Sequence, residues 1–336
     1  MLSAPLPDLL SSLRLQDQSG RLRAALDAAG QELTTGMRTD LAAHTAGELS
    51  PVFGIDAALN RIEARQRDLG LAGARAGAAQ SALGVVQTTA GDYGIGLLGA
   101  IDRGDAVSGS AYVAEARAAL ETVIQALNAQ FGGRALFSGA APDRAPLAGA
   151  EALIASLAPA LATAGTPAAA QAMLDDFFDS PGGGFETAIY GGATQDAAGV
   201  ALSDTRVEHF LPRADAEPLR ATLKALAAIA TVDVTGFAAD PDARQAHLSQ
   251  AAGALIAARD GVTGMRASLG TSEQAIAEAA EHGIAERASL GLARNALAGV
   301  DQFDAAARFT ALEGQLETLH LVTSRLSRLS LASFLR

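Results

Sequence analysis

Three aspartates in the run DDFFD are the residues whose type and spacing come nearest to carrying chemistry. Asp175, Asp176 and Asp179 form a DDxxD pattern, and on a helix Asp175 and Asp179 lie one turn apart. Carboxylate oxygens at that spacing could share a Mg²⁺ ion. One interpretation of this stretch is therefore a Mg-dependent enzyme. The other is the solvated end of a helix, with Phe177 and Phe178 as its anchors.

The DDxxD spelling resembles the magnesium–diphosphate motif of isoprenoid synthases. Such a site also requires arginine or lysine clamps and a second acidic motif, and neither follows nearby in this sequence. The aspartates stand at a predicted helix end, just before SPGGG at 180–184. We therefore expect them to form no metal or cofactor site, and we predict that the chain is not an enzyme.

The other residue types that commonly carry chemistry form no pattern either. The chain has no cysteine, which excludes disulfides, thiolate nucleophiles and cysteine-based metal sites. Its five histidines lack HxxxH or HExxH spacing, and its glycine runs lack the Lys-Ser/Thr of a phosphate-binding loop. His320 stands beside Leu319 and is expected to be a flanking contact. We predict no catalytic residue, no metal site and no cofactor.

The charge balance excludes two classes of partner. The 336 residues include 37 acidic and 25 basic side chains, for a net charge of −12. Nucleic acid and anionic membrane surfaces both require a basic face, so neither is expected as a partner. No stretch approaches 18 uncharged apolar residues, and the first 15 residues lack the pattern of a secretory signal. We therefore expect no membrane insertion and no cleaved address.

The C-terminal stretch gives the clearest structural signal, because its apolar or small residues alternate in steps of three and four. This spacing predicts a helix that packs along one face against other helices. Since the stripe continues to the last residues, the helix needs a partner to cover it. The stripe consists of Phe309, Leu312, Leu316, Leu319, Thr323, Leu326 and Ser330.

Three further helices with matching apolar stripes are predicted in the first 131 residues. The first begins near Leu9, and a turn-rich connection over 34–51 follows it. The second covers about 56–101 and the third follows an N-cap at Ser108 or Ser110 and stops at the glycine pair 132–133. The stripe of the first helix includes Leu15, Leu22, Leu26, Ala29, Leu33 and Gly36.

The middle of the chain loses this periodicity and becomes rich in glycine and proline. Short strands are expected at 185–190, 200–210 and 231–237, among helices over 147–162, 166–179 and 218–230. Asp240 followed by Pro241 predicts the start of a last long helical region. The fold class predicted is mainly α: long N- and C-terminal helices paired as a coiled-coil rod, with a small mixed α/β domain inserted between them.

Three stretches together resemble the bacterial flagellin family. QELTTGMR at 31–38 is similar to the family's turn after the first helix. NAQFGGRALFSGA at 128–140 is similar to the segment that closes its third helix, and 312–336 is similar to its terminal helix. Within the family, the chain is more similar to hook-associated subunits of the hook–filament junction than to filament flagellin. One departure is the segment after the turn, where an acidic DDP-type loop is usual and this chain has DLAAHTAGELSP.

The resemblance implies an organisation and a set of partners. It implies an N-terminal assembly helix over 1–45 that pairs with a C-terminal one over 295–336, a helical rod domain over 46–140 and 240–294, and an inserted outer domain over 141–239. It also implies export through the flagellar type III apparatus without a cleaved signal, and location in the extracellular flagellum. The implied partners are the hook-side junction protein, flagellin subunits, further copies of the chain in a ring, and an export chaperone.

Our hypothesis from the sequence is that the protein is a structural adaptor at the hook–filament junction and that its terminal helices order on assembly. The alternative is filament flagellin. A more remote alternative is a Mg-dependent enzyme that uses the DDFFD stretch. Assembly of this kind depends on apolar residues at the packing face of each terminal helix. The predicted assembly seam consists of Leu15, Leu22, Leu26, Leu33, Phe309, Leu312, Leu316, Leu319 and Leu326.

Overall fold

The computed structural model describes the chain over residues 6–45 and 47–334, and the side chains at 10, 13–45 and 47–325. Long helices account for most of it. The helices are α1 (Leu6–Thr35), α2 (Leu41–His44), α3 (Ser50–Asp102), α4 (Ala106–Leu127), α5 (Ala150–Leu161), α6 (Pro167–Asp179), α7 (Glu217–Ala230), α8 (Pro241–Ala298) and α9 (Gln302–Phe334). The strands are β1 (Gln130–Phe131), β2 (Arg134–Ala135), β3 (Val200–Ala201) and β4 (Val207–Glu208).

The chain divides into two compact units. The terminal unit contains 1–64 and 283–336, and the central unit contains 65–282. With long packed helices and, in the described residues, two small antiparallel hairpins, the mainly α fold class is confirmed. The boundaries of these units differ from the predicted domain boundaries, and the predicted domains stay a prediction. No helix within the described ranges is both long and apolar enough to cross a membrane.

The central unit holds the larger core. Helix α3 buries a residue at every seventh position of its stripe, and α4 packs closely against α7. Burial at heptad spacing explains why these helices form, since a helix within a protein gains most of its stability from a packed face. The buried residues of the α3 stripe are Leu69, Ala76, Leu83, Ala90 and Leu97.

Several predicted helix ends are correct, and one cap is not. Thr166 caps α6 by accepting a hydrogen bond from Ala169 N at 3.2 Å, and Asp240 caps α8 through Asp242 N at 3.0 Å. The cap of α4, however, is Asp105, whose carboxylate accepts the Ser108 backbone N–H at 3.0 Å. Asp105 was missed because a serine at either predicted position offers the same chemistry.

The glycine pair at 132–133 also plays a different part from the one predicted. Helix α4 ends earlier, at Leu127, and the two glycines form the two-residue turn of the β1–β2 hairpin. Their φ angles are +58° and +76°, and positive φ at both central positions is what a two-residue hairpin turn of type I′ requires.

Two predicted strands are helical turns instead. Phe185–Ile189 is one turn of π-helix, in which Tyr190 N donates to Phe185 O at 2.8 Å. Val232–Val234 is a 3₁₀ turn, although its residues alternate as in a strand. Thr231 and Thr235, on either side of it, donate their hydroxyls to nearby backbone carbonyls. Such local bonds compete with strand pairing, which explains the difference.

Candidate functional site

The terminal helices α1 and α9, whose assembly seam stays a prediction, pack against each other. Among the described residues this is the most extensive helix–helix contact of the terminal unit. The side chain of Leu326 lies outside the description. The other eight seam residues are all partly buried, and they are Leu15, Leu22, Leu26, Leu33, Phe309, Leu312, Leu316 and Leu319.

Partial burial is what a pair of helices can provide, because each seam has only one neighbour. Among the described apolar residues of this pair, only the small Ala29 and Ala305 are fully buried. An open groove of about 600 Å³ runs between the helices and is lined by Leu15, Leu22 and Leu319, among others. The seam therefore keeps apolar area in contact with water, and covering it by another chain would be favourable.

The QELTTGMR turn joins the start of the chain to the connection between α8 and α9. Arg38 N donates to Ala298 O at 2.9 Å, and Val300 N donates to Gly36 O at 3.0 Å. These bonds form a short antiparallel bridge that aligns the end of α1 with the beginning of α9. The sequence identified this segment as a turn but gave no sign of its partner.

A buried glutamate reinforces the same junction. Glu32 on α1 is 8% exposed. Its carboxylate accepts the Thr39 N–H at 3.1 Å and the Arg308 Nη1–H from α9 at 3.0 Å. Hydrogen bonds from an arginine and from a backbone amide offset the free-energy cost of burying a carboxylate. The bonds fix the register of α9 on α1, and sequence reasoning missed both residues.

Asn128 and the LFSG run at 136–139, which we call the LFSG clasp, tie the end of α4 to the middle of the chain. The Asn128 amide donates to Leu147 O and accepts from Leu147 N, both at 2.9 Å. Leu136, Phe137 and Ser138 are almost wholly buried. The motif that carried much of the family resemblance is thus a packed structural junction and not an exposed recognition loop.

The backbone of the clasp is hydrogen-bonded to two distant segments. Ser138 O accepts from Ala193 N at 2.9 Å, and Phe137 O accepts from Ala214 N at 2.8 Å. Gly139 follows with φ of +63°, and a β-carbon there would overlap Gln195 O. The clasp therefore requires glycine at this position for both conformation and space.

Two of the three aspartates of DDFFD, Asp175 and Asp179, bind cations of the chain itself. Lys224 Nζ on α7 lies 2.8 Å from Asp175 Oδ1 and 2.5 Å from Asp179 Oδ2, and Arg220 Nε lies 3.0 Å from Asp179 Oδ1. Burial raises the pKa of Asp179, but the hydrogen bonds and positive charges of Lys224 and Arg220 lower it by a larger amount. The net shift of this pKa is therefore downward. Asp176 instead accepts the Ser180 hydroxyl at 2.8 Å.

Cationic groups do therefore reach the aspartates in space, although none is near them in sequence. A lysine ammonium already occupies the position between Asp175 and Asp179 that a metal ion would take. Within the described residues, no group of three or more acidic or histidine side chains is arranged to hold a metal. The DDFFD stretch lies at the end of α6, as the solvated-end interpretation predicted, with Phe178 buried beneath it.

Helices α3 and α8 of the central unit are joined by glutamines at heptad positions. Gln66 Nε2 donates to Ala280 O at 2.6 Å, and Gln80 Nε2 donates to Arg266 O at 2.7 Å. The Arg266 guanidinium donates in turn to the side-chain oxygens of Gln80 and Gln87. Polar residues in an apolar seam specify register, since other alignments would leave them unpaired.

His247 is the one buried histidine among the described residues. It is 2% exposed, lies 3.3 Å from Ala228 O through Nε2, and packs edge-on against Phe237. Burial lowers its pKa, partly offset by the bond to Ala228 O. A single buried histidine with a backbone partner and an aromatic neighbour is a core residue, and it faces no second group of a catalytic pair.

Comparison with known families gives one informative match. Residues 8–141 match the model of the bacterial flagellin N-terminal helical region. The N-terminal part of this chain is flagellin-like. The matched range contains α1, the QELTTGMR turn, α3, α4 and the LFSG clasp, so the flagellin-family resemblance found in the sequence is confirmed. The match supports a structural component of the flagellum as the function.

Comparison with individual proteins adds less. A solved structure from Vibrio parahaemolyticus, provisionally described as a flagellar hook-associated protein, aligns over 87% of this chain and 98% of its own, with 14% identity and a TM-score of 0.36. A score this low does not establish a common fold. No curated protein matches the flagellin-like chain.

Proposed function

We propose that this flagellin-like protein is a structural subunit of the bacterial flagellum that acts as an adaptor at the hook–filament junction. The observation that carries the proposal is the α1–α9 pair with its half-covered leucine seam, in a chain whose residues 8–141 match the flagellin N-terminal region. A subunit built in this way functions by assembly and not by turnover.

The mechanism follows from the area that the seam leaves exposed. Leu316 and Leu319, on the helix that packs against α1, are partly buried and partly exposed to water. Burying apolar surface contributes about 25 cal/mol per Å², so a neighbouring chain that covers the seam stabilises both helices at once. Ordering is thereby coupled to association, and the terminal helices reach their full stability only in the polymer.

We propose that the neighbours are the hook-side junction protein, flagellin subunits and further copies of this chain, and that a chaperone accompanies export. Export would be through the flagellar apparatus, without a cleaved signal, to the extracellular flagellum. Large exposed apolar residues elsewhere in the terminal unit, Phe53, Leu292 and Phe303, add surface for such neighbours.

Filament flagellin is the second candidate, and the two differ in polymer length. Purified flagellin elongates into long filaments, whereas a junction subunit forms a limited assembly. The family match by itself applies to both, because it covers the N-terminal helical region. The enzyme alternative lacks support, since Lys224 and Arg220 already compensate the charges of Asp175 and Asp179.

Deletion of the gene, followed by complementation, tests the proposal. A junction adaptor predicts cells that keep their hooks, lack attached filaments and release flagellin into the medium. Filament flagellin predicts instead that the filament protein itself disappears from cells and medium. Unchanged filaments and motility after deletion would contradict both and would favour a secreted helical protein of another kind.

A further inference from the structure

Three arginines at the β1–β2 hairpin of the central unit form what we call the basic patch: Arg75 on α3, Arg134 on β2 and Arg144 in the loop after the LFSG clasp. Among the described residues, none of their guanidinium groups has a hydrogen bond or ion pair. Most other cations of the unit are paired, as Arg117 is with Glu151 and Arg213 with Asp215.

Backbone bonds hold the patch together. Ala135 N donates to Pro142 O at 2.7 Å, so Arg134 and the loop that carries Arg144 lie side by side. Arg134 is also near Arg75, because its charge adds to burial in lowering the pKa of Arg75. Asp143 is the acidic residue of this loop; it is exposed and its carboxylate has no hydrogen bond in the described structure.

Of the three arginines, Arg75 has the least favourable surroundings in a single chain. Its side chain is half-buried, and its Nε is inaccessible to water without any acceptor within hydrogen-bond distance. A buried donor without a partner destabilises a protein, and a neighbouring like charge adds to the cost. A chain with 37 acidic residues could easily supply a carboxylate here, yet none contacts Arg75.

A complementary surface lies on α8 of the same unit. Glu273, Glu278 and Glu281, which we call the acidic stretch, have no basic partner among the described residues. Glu278 accepts a hydrogen bond from the neutral Gln274 amide at 2.8 Å.

The acidic stretch lies at the height of the basic patch along the α3–α8 pair. Gly73 faces Ile276, and Gln66 donates to Ala280 O at 2.6 Å. The α3 segment that carries Arg75 therefore runs beside the α8 segment that carries the glutamates. Yet no bond joins the basic patch to the acidic stretch within one chain.

We propose that the basic patch of one copy binds the acidic stretch of a second copy, which makes a side-by-side contact between subunits. Two different surfaces at the same height form a head-to-tail contact that repeats from copy to copy, and such a contact closes into a ring when the rotation allows it. The inference rests on the proposed assembly function. It supplies the lateral contact that the terminal helices alone do not specify.

Charge exchange in the complemented deletion strain tests this contact. Arg134→Glu with Arg144→Glu should reduce attached filaments about tenfold while the exported amount stays unchanged, because opposed charges become alike. Adding Glu278→Arg and Glu281→Arg to the same chain restores opposite signs and should recover most attachment. The matched control is Arg117→Glu with Arg206→Glu, which changes the same charge at exposed arginines outside the patch.

The absence of cysteine permits a second, direct measurement. With Asp143→Cys and Gln274→Cys in one chain, oxidation of isolated flagella should give a ladder of disulfide-linked multimers, and each single variant should stop at monomer or dimer. Attachment at wild-type level in the charge-reversed variant, or no ladder from incorporated chain, would overturn the contact. Failure of the wild-type gene to restore filaments would instead overturn the proposed function.

Discussion

At the scale of single residues, this molecule uses polar groups to fix backbone geometry. Asn128 pairs with both backbone groups of Leu147, 19 residues further on, and Glu32 accepts the Thr39 amide and the guanidinium of the distant Arg308. Each of the two lies in a stretch that resembles the flagellin family. A resemblance carried by a few such residues is informative because each residue has a specific partner. The arginines of the basic patch differ in this respect, since none of their guanidinium groups has a partner among the described residues.

Gly139→Ala should destabilise the protein markedly. The residue has a φ of +63°, and an added β-carbon would overlap the carbonyl oxygen of Gln195, which belongs to the backbone and cannot move freely. We expect a loss of about 2 kcal/mol or more in the free energy of unfolding. Urea denaturation followed by circular dichroism measures it.

Gly132→Ala is the matched control for that change. Gly132 has a similar φ of +58°, but a β-carbon there meets nothing within 4 Å. It should lose only the cost of the left-handed conformation, about 1–2 kcal/mol. Equal losses in the two variants would show that the crowding at Gly139 is relieved by the clasp.

The stability of the central unit should fall between neutral and mildly acidic pH because of His247. Burial lowers the pKa of His247 in the folded state below its ordinary value of 6.5. The unfolded chain therefore takes up a proton first as the pH falls, and stability is lost from the unfolded pKa downward to the folded one. Urea midpoints at about pH 7.5 and about pH 5 should differ for this reason.

Replacing His247 by glutamine should reduce that difference in midpoint, while His282→Gln, at an exposed histidine, should leave it unchanged. If the His247 variant retains the full pH dependence, other groups cause it. In that case the buried imidazole would not be the group that takes up the proton.

At the scale of elements, the helices of the two units are held by different devices. In the central unit, α3 and α8 are aligned by Gln66, Gln80 and Arg266 as well as by apolar contacts. In the terminal unit, α1 and α9 depend on partly covered leucines and on the bridge at the QELTTGMR turn. The polar contacts of the central unit fix the alignment of α3 and α8 within one chain. The α1–α9 pair instead leaves apolar surface exposed, which a neighbouring chain could cover.

Leu316→Ala should impair assembly more than export or folding. A fully packed leucine contributes about 2–5 kcal/mol relative to alanine, but Leu316 is only half-buried in the single chain. Most of its contribution should therefore appear when a neighbour covers it. Filament attachment and the exported amount, measured in complemented cells, separate the two effects.

Glu317→Ala serves as the control, since Glu317 is the next residue on α9 and is exposed. It should leave both attachment and export close to wild type. Normal attachment with Leu316→Ala would mean that the α9 stripe is not the assembly seam.

At the scale of the whole molecule, the two units should differ in local stability. The central unit buries large side chains almost completely, Leu83, Leu120 and Phe137 among them, whereas the described leucines of the α1–α9 seam are only partly buried. Amide exchange on the purified monomer should be fast over 13–35 and 302–325 and slow over 69–127, because opening free energy follows buried contact. Full protection of both helices would mean a closed bundle, and the assembly mechanism would have to be abandoned.

The sequence by itself determined the helices and their faces. Heptad spacing located α3, α4 and α9 and the buried side of each, because a helix must place residues three and four apart on one face. It also indicated the resemblance to the flagellin family, since LFSG and QELTTGMR are short motifs that can be recognised without knowledge of their distant partners. Where a segment had two local solutions, as in the alternating residues 231–237, the sequence favoured the wrong one.

Only the tertiary structure decided which distant groups meet. Lys224 stands 45 residues beyond Asp179, Arg308 is 276 residues from Glu32, and no local pattern marks either pair. Their contacts follow from the way the helices pack, and that depends on the sum of many weak apolar contacts spread over the chain. The sequence therefore shows that three aspartates and many arginines are present, but only the fold determines which of them are paired.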